Sequence, residues 1–493
     1  MRKRFDAQIG FGQTPIEAVI LPLKSRDELP PVLAGLQWIF KTSEVSQEIF
    51  ELLEAKISAD KQDTGRPGMD LWHILVLGVV RLGLGCDYDR LEHIANHDGL
   101  VRQIMGLPSF GGEQQFHHKT ISDNICQIDA EVLEKINSIV VRHGRSTLKK
   151  NGRPTGEEKL NVKVDSYVLD SNVHYPTDCN LLWDGARKCI ELLGQLHAKL
   201  DLPGWRKGKL WKKQIKTAMR ACERTASRGG ANKDQRVLET AQSYLDKAYA
   251  LEEKVHQSIE DLKAMPLSVT EFASLQRIGY FHDMLILHIG FVDHRLVRKE
   301  TIAHDEKIFS LFEPHTELIK KGKTMPPVEF GHRLLVATEQ HGLIIDYKVM
   351  LGGSESAEIV PVADRLLNRY GEDFIASLST DRGFSSATDR ELLELYIEQV
   401  IMPKKGRRTK ADTARESAKK WKSLNNKHSA VESDINCLEH HGLNRCPDKG
   451  LIGYERYVGL GILAYNLHKI GAGQLAQAAA AEERKRKPKK KAA

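Results

Sequence analysis

Apolar residues recur at helical spacing from Leu33 to about Val141, after some thirty residues with little periodicity that read as an extended arm. Between Glu44 and Ile57, the residues Val45, Ile49, Phe50, Leu52, Leu53 and Ile57 fall mostly on one stripe, as in an amphipathic helix. Leu71 to Leu84 is apolar nearly all round, which predicts a buried helix capped by Asp70 after the breaker Asp63–Gly68. Two short helices near Asp89–Asn96 and Gly99–Met105 flank an Asn-His-Asp-Gly turn, compatible with a helix-turn-helix or with a plain bundle. A helix over Ile121 to Arg142 closes an all-helical unit spanning residues 1–147.

Beyond the polar linker Lys149–Lys159 the period changes. Asn161 to Asp170 has strand character, with β-branched and aromatic residues around Asp165. Leu181 to about Glu300 is helical again and lacks period-two segments, so it reads as an insertion outside any sheet. After Pro326-Pro327 two strands, Glu329–Thr338 and Leu343–Met350, are joined by the hairpin turn Glu-Gln-His-Gly. Ser354 or Ser356 opens a helix that Gly371 ends. The apolar run Phe374–Leu378 reads as a buried strand stopping at Asp381, where Gly383 lets the chain turn and Ser385 or Ser386 caps a helix to about Glu398. Val400–Pro403 is a last short strand. A helical region from about Asp412 then holds Trp421 and Glu432, and an apolar helix spans Tyr457–Ile470. The pattern is that of an α/β protein with a sheet interrupted by a helical insertion and preceded by an all-helical domain.

Composition adds little until the charge is placed along the chain. With 493 residues, 41% hydrophobic and 28% charged, the protein reads as soluble, with roughly two to four domains. The net charge of +7 is modest but clustered. Arg206 to Arg236 holds eleven Lys/Arg against two acids, with Trp205 and Trp211 interleaved, which makes Lys212, Lys213 and Lys216 candidate phosphate contacts. Lys404, Lys405, Arg407 and Arg408 surround Gly406, and seven of the eight residues from Arg484 to Lys491 are basic. That tail, from residue 476 on, is expected to be disordered. Seven cysteines form no CxxC pair, fitting a reducing compartment, and no apolar run reaches membrane-spanning length, so a cytoplasmic location is expected. His282, His288 and His294 recur every six residues and do not stack on a helix, so the spacing gives no metal site.

The chemistry lies in the acids. A carboxylate within a strand is costly unless it is paired or binds a cation, which singles out Asp165. Asp170, five residues on, points to the opposite face and cannot share its site. Asp381 stands at the C-terminal end of its strand, where open α/β sheets hold their ligands. Glu432 lies on a later helix.

These segments resemble a known family. Val164-Asp-Ser-Tyr-Val-Leu-Asp-Ser-Asn-Val-His-Tyr-Pro-Thr-Asp178 is similar to the first-acid segment of bacterial insertion-sequence DDE transposases. Gly322-Lys-Thr-Met-Pro-Pro-Val-Glu-Phe-Gly331 and Ser379-Thr-Asp-Arg-Gly-Phe384 resemble that family's second-strand approach and second acid. Ala430 to Arg445 resembles the third-acid helix, and Asn466-Leu-His-Lys469 its ending, the match looking closest to ISNCY-type elements. The resemblance implies a ribonuclease H-like catalytic domain over residues 160–475, interrupted by a helical insertion at about 181–300. It further implies an N-terminal DNA-binding domain over residues 1–147. Asp165, Asp381 and Glu432 would be catalytic and would bind two Mg2+ ions, for which Mn2+ can substitute. The partners implied are element-end and target DNA, with the protein at least a dimer on DNA. Many relatives carry Tyr, Arg and Lys where this chain has Asn425, His428 and Glu439, so phosphate contacts fall to Lys427, Lys404, Lys405 or Arg408. A metal-dependent nuclease of the same fold and a DNA-binding protein that has lost cleavage are the alternatives.

Overall fold

The computed structural model describes residues 3–5, 13–58, 68–110, 114–150, 153–154, 158–320 and 327–486. The chain divides into two units, Met1–Asn172 with Ile319–Ala493, and Val173–Leu318.

The first unit opens with helices α1 (Leu29–Lys41), α2 (Ser43–Ile57), α3 (Leu71–Gly83), α4 (Tyr88–His97), α5 (Gly99–Ile104), α6 (His118–Ile125) and α7 (Ala130–Thr147). Every residue of α3 is buried, as its all-round apolarity demands, although the Asp70 side chain makes no capping bond. The single helix expected over Ile121–Arg142 is two. The Asp129 carboxylate accepts from the Val132 amide at 2.9 Å and so starts α7 as an N-cap, breaking the helical run between α6 and α7.

Strand β1 (Leu160–Ser171) follows. The second unit then holds α8 (Asp178–Lys199), α9 (Gly208–Ser227), α10 (Lys233–Lys263) and α11 (Val269–Val292), with no sheet strand between residues 181 and 300. Its core includes Leu182, Ile190, Ile215, Tyr244, Leu251 and Leu285. The Ser268 side chain and Glu271 form a reciprocal capping box at the start of α11.

The chain returns through β2 (Glu317–Lys320), β3 (Val328–Thr338), β4 (Ile344–Met350), α12 (Glu355–Tyr370), β5 (Ile375–Thr380), α13 (Ala387–Leu393) and β6 (Gln399–Ile401). It ends with α14 (Lys410–Ser417), α15 (Lys419–His428), α16 (Ala430–Leu438), β7 (Arg445–Cys446) and α17 (Gly450–Arg486). The protein is mixed α/β with an open mixed sheet of seven strands in the order β2-β3-β1-β5-β6, β4 lying beside β3 and β7 beside β1. β1 is antiparallel to β3 and parallel to β5, and β3 is antiparallel to β4.

Alternation along β1 divides its side chains between two cores. Leu160, Val162 and Val164 pack with Leu335, Ala337 and the apolar face of α12. Tyr167 and Leu169, with Leu334 and Val336, belong to a core shared with α1–α7, α16 and α17. The helices before residue 147, expected as a domain of their own, therefore share their core with one face of the sheet. Asn466 of α17, fully buried, shows the coupling. Its amide group donates to Asn137 Oδ1 of α7 at 2.7 Å and to the Ile344 carbonyl at 2.8 Å, while its Oδ1 accepts from the Ile344 amide at 2.9 Å. Close packing of α1 on α17 depends on glycine, because a Cβ on Gly471 would stand 1.9 Å from the Pro31 carbonyl oxygen. The apolar helix expected over Tyr457–Ile470 runs from Gly450 to Arg486, and the tail expected to be disordered from 476 is helical up to that residue. The alanines at 478–481, strong helix formers with no side-chain entropy to lose, carry it on. The basic residues from Lys487 lie outside the described residues.

Candidate active site

Strand register alone brings two acids together. Thr380, the last residue of β5, pairs with Val164 of β1, and the strands are parallel. The next residue on each is an acid, so Asp165 and Asp381 lie side by side on neighbouring strands roughly 4.8 Å apart. Past Thr380 this flank of β1 is bare until β7 pairs with Asp170 and Ser171. The gap lets carboxylates approach β1 from both faces of the sheet.

After Asp381 the chain turns sharply, and the Gly383 amide donates to Asp381 Oδ1 at 2.7 Å. A side chain at 383 would have no room, because its Cβ would lie 2.3 Å from Glu355 Oε2 and 2.9 Å from Asp381 Oδ1. Glu355 is a fourth acid that the sequence did not single out. It is the first residue of α12, where the helix N-terminus favours a negative charge. Its Oε1 accepts from Ser166 Oγ at 2.7 Å and lies 3.6 Å from Arg333 Nε.

Glu432 arrives on α16. Val431, Asp434, Ile435 and Leu438 are the buried face of that helix. Asp434 is fixed from α17, accepting from the Tyr465 hydroxyl at 2.7 Å and from Lys469 Nζ at 3.4 Å. With one face so anchored, Glu432 turns outward and borders, with Asp381, a cleft of about 630 Å3. Arg408, Trp421, Asn425 and His428 also line it.

The electrostatics register this convergence. Burial pushes the Asp165 carboxyl up to about 7, and the charges of Asp381, Glu355 and Glu432 push the same way against the Ser166 amide, which donates to Oδ1 at 2.7 Å. Asp381 and Glu432 thus lie near enough to Asp165 for their charges to act on it, and Asp170 lies further along β1, in register with Gly331 and Arg445. His428 is buried beside them, its Nδ1 3.1 Å from Ser379 Oγ and its Nε2 without a partner among the described residues. Burial, aided by the charge of Lys163, lowers it to about 4, so the ring is neutral at physiological pH.

The basic candidates divide. Arg408 lines the cleft and pairs with Glu416 at 2.8 Å, while Lys405 and Arg407 are exposed and Lys404 half-buried in the same loop. On α9 of the second unit, Lys213 and Lys216 are exposed, Lys216 lies over the Trp183 ring, and Lys212 pairs with Glu191 at 3.4 Å. Trp205, interleaved in that basic segment, is buried, its indole donating to Ser258 Oγ at 3.0 Å. On the two helices read as a helix-turn-helix, Arg90 of α4 is exposed. Arg102, the arginine of α5, is buried, and its guanidinium donates to the Pro108 carbonyl at 2.8 Å.

Among the described residues, three sets of side chains place all their ligand atoms within 4.8 Å of one another: Glu92–His117–His118, Glu252–His256–His282 and Glu44–Glu48–His143. No three of the carboxylates around Asp165 meet that spacing. Around Asp165 the donors are carboxylate oxygens, the set a hard divalent cation takes. Among the described residues no helix is long and apolar enough to cross a membrane. Comparison with protein-family models, with curated proteins and with solved structures finds no match to this chain.

Proposed function

We propose that this protein is a DNA transposase with a ribonuclease H-like catalytic domain, and that Asp165, Asp381 and Glu432, joined by Glu355, carry its metal-dependent strand cleavage. The observation that carries the reading is the convergence of four carboxylates at the bare flank of β1 between the end of β5 and the start of β7. Strand order supports it: an antiparallel β1, β3 and β4 on one side, then parallel β5 and β6 on the other. Clustered ionised carboxylates repel one another, and a divalent cation relieves that repulsion. Two Mg2+ ions, or Mn2+ in their place, would activate the attacking oxygen and stabilise the leaving one.

The chain's own groups prepare the rest. The Ser166 amide and hydroxyl orient Asp165 and Glu355, and the Gly383 amide orients Asp381. Neutral His428 and Asn425 border the cleft without adding positive charge that would compete with a cation. Arg408 lines it, and Lys404, Lys405 and Arg407 extend a basic loop toward the phosphate backbone of DNA. No covalent protein intermediate is needed, because water, and then a DNA 3′-hydroxyl, serves as the nucleophile. Joining two element ends calls for at least two copies of the chain.

The test is cleavage of labelled plasmid carrying the element ends, in Mg2+. Asp165→Asn, Asp381→Asn and Glu432→Gln should each abolish nicking while end binding survives. Asp170→Asn should cut. Activity retained in Asp381→Asn would overturn the reading. Cleavage without strand transfer would turn it into that of a nuclease.

A further inference from the structure

Outside the acid site, α10 and α11 of the helical unit bring together two imidazoles and a carboxylate. Glu252 and His256 are four residues apart on α10 and so share one face of it. His282 meets them from α11. Its Nε2 lies 2.8 Å from Glu252 Oε1, and its ring centroid is 5.9 Å from that of His256, the planes tilted by 34°. One ligand atom from each of the three lies within 4.8 Å of the other two. His282 is 7% exposed, whereas His256 reaches solvent. The six-residue histidine spacing on α11 misses this cluster because the partners of His282 come from another helix.

The two other clusters with such spacing already have occupations. Glu92 accepts from the His118 amide and pairs with its ring, and His117 spends Nδ1 capping α6. Glu48 pairs with Arg142, which supplies the positive charge. Glu252 has only His282 as an ion-pair partner among the described residues. A cavity of about 1020 Å3, bordered by His256, His282 and Asp283, leaves room for a water or a further ligand beside them.

We infer that Glu252, His256 and His282 bind a zinc ion that ties α10 to α11, in a site separate from the carboxylates that bind Mg2+ in the proposed function. Two imidazoles with one carboxylate form a nitrogen-rich set that suits zinc and disfavours Mg2+, and three protein ligands with an open fourth position match its tetrahedral preference. The ligands come from both helices, so the ion would hold together a pair already joined by apolar packing and by the His282–Glu252 contact.

The test uses the full chain, stripped with a chelator and titrated with Zn2+ and, for its visible spectrum, Co2+. The wild type should take up about one zinc per chain with a rise in Tm, and cobalt should give the intense visible bands of a tetrahedral site. His256→Ala, at an exposed position that leaves the fold intact, should lower zinc affinity by more than the roughly 10–100-fold that losing a supporting partner of a ligand costs, and should abolish both the Tm rise and the bands. His282→Gln should do the same, while Asp165→Asn should bind zinc as the wild type does. Equal zinc binding by His256→Ala and the wild type would overturn the inference, as would a wild type that takes up none.

Discussion

Asp165→Asn should make the metal-free chain more stable at neutral pH even though it removes a residue of the proposed site. The folded chain raises the Asp165 carboxyl from 3.8 to about 7. A group with a raised folded pKa contributes stability while protonated and loses it as pH climbs from the unfolded to the folded value. About three pH units at about 1.4 kcal/mol each set a ceiling of about 4 kcal/mol on the cost of ionising it in place. Asp165 keeps some contact with solvent, so screening leaves about 2 kcal/mol as the working figure. Asparagine avoids this cost, and its Oδ1 can still accept the Ser166 amide. The assay is urea denaturation of wild type and Asp165→Asn in chelator. Their difference should be near zero at about pH 4, grow up to about pH 7 and stay level above it. With Mg2+ present the order should reverse, because the cation binds the folded wild type and adds stability by mass action. A variant less stable than the wild type at about pH 8 in chelator, or a difference that ignores pH, would refute the reasoning.

Gly383→Ala should cut cleavage by about a hundredfold with the fold retained, because its Cβ would displace the carboxylates of Glu355 and Asp381 by fractions of an ångström; kinetics and circular dichroism check both halves. Asp448→Ala should destabilise the chain by about 3–5 kcal/mol in denaturant melts, since it strands the buried Arg81 guanidinium that Asp448 Oδ1 now meets at 2.6 Å. Lys405→Ala with Arg407→Ala should flatten the slope of log DNA affinity against log salt by about 0.9 for each phosphate no longer neutralised, and an unchanged slope would remove this loop from the DNA path.

What the sequence displays of this site follows from where each acid sits. Asp381 is legible because a strand, an acid and a turn-making glycine are contiguous. Asp165 is legible because an acid inside an apolar strand is costly. Glu355 leaves no such mark: an acid in the first turn of a helix is what the helix dipole favours anywhere, and only the fold shows that this turn ends beside Ser166 and Gly383. Five of the seven sheet strands were legible to within one or two residues, whereas the short β2 and β7 were not read as strands, and helical spacing kept the 181–300 segment free of sheet strands. The shared core of α1–α7 and the sheet was hidden, because an apolar stripe says that a face is buried and not against what. The same limit made Trp205, interleaved in the basic segment Arg206–Arg236 read as a phosphate-binding surface, a core residue in the fold.

The central claim is that Asp165, Asp381, Glu355 and Glu432 gather to hold divalent cations. Anomalous scattering from crystals of the full chain grown with Mn2+ tests it most directly. The account predicts a manganese peak at the carboxylates of Asp165, Asp381, Glu355 and Glu432, and loss of that peak in Asp381→Asn. Manganese bound elsewhere on the chain, with these four carboxylates bare, would contradict it.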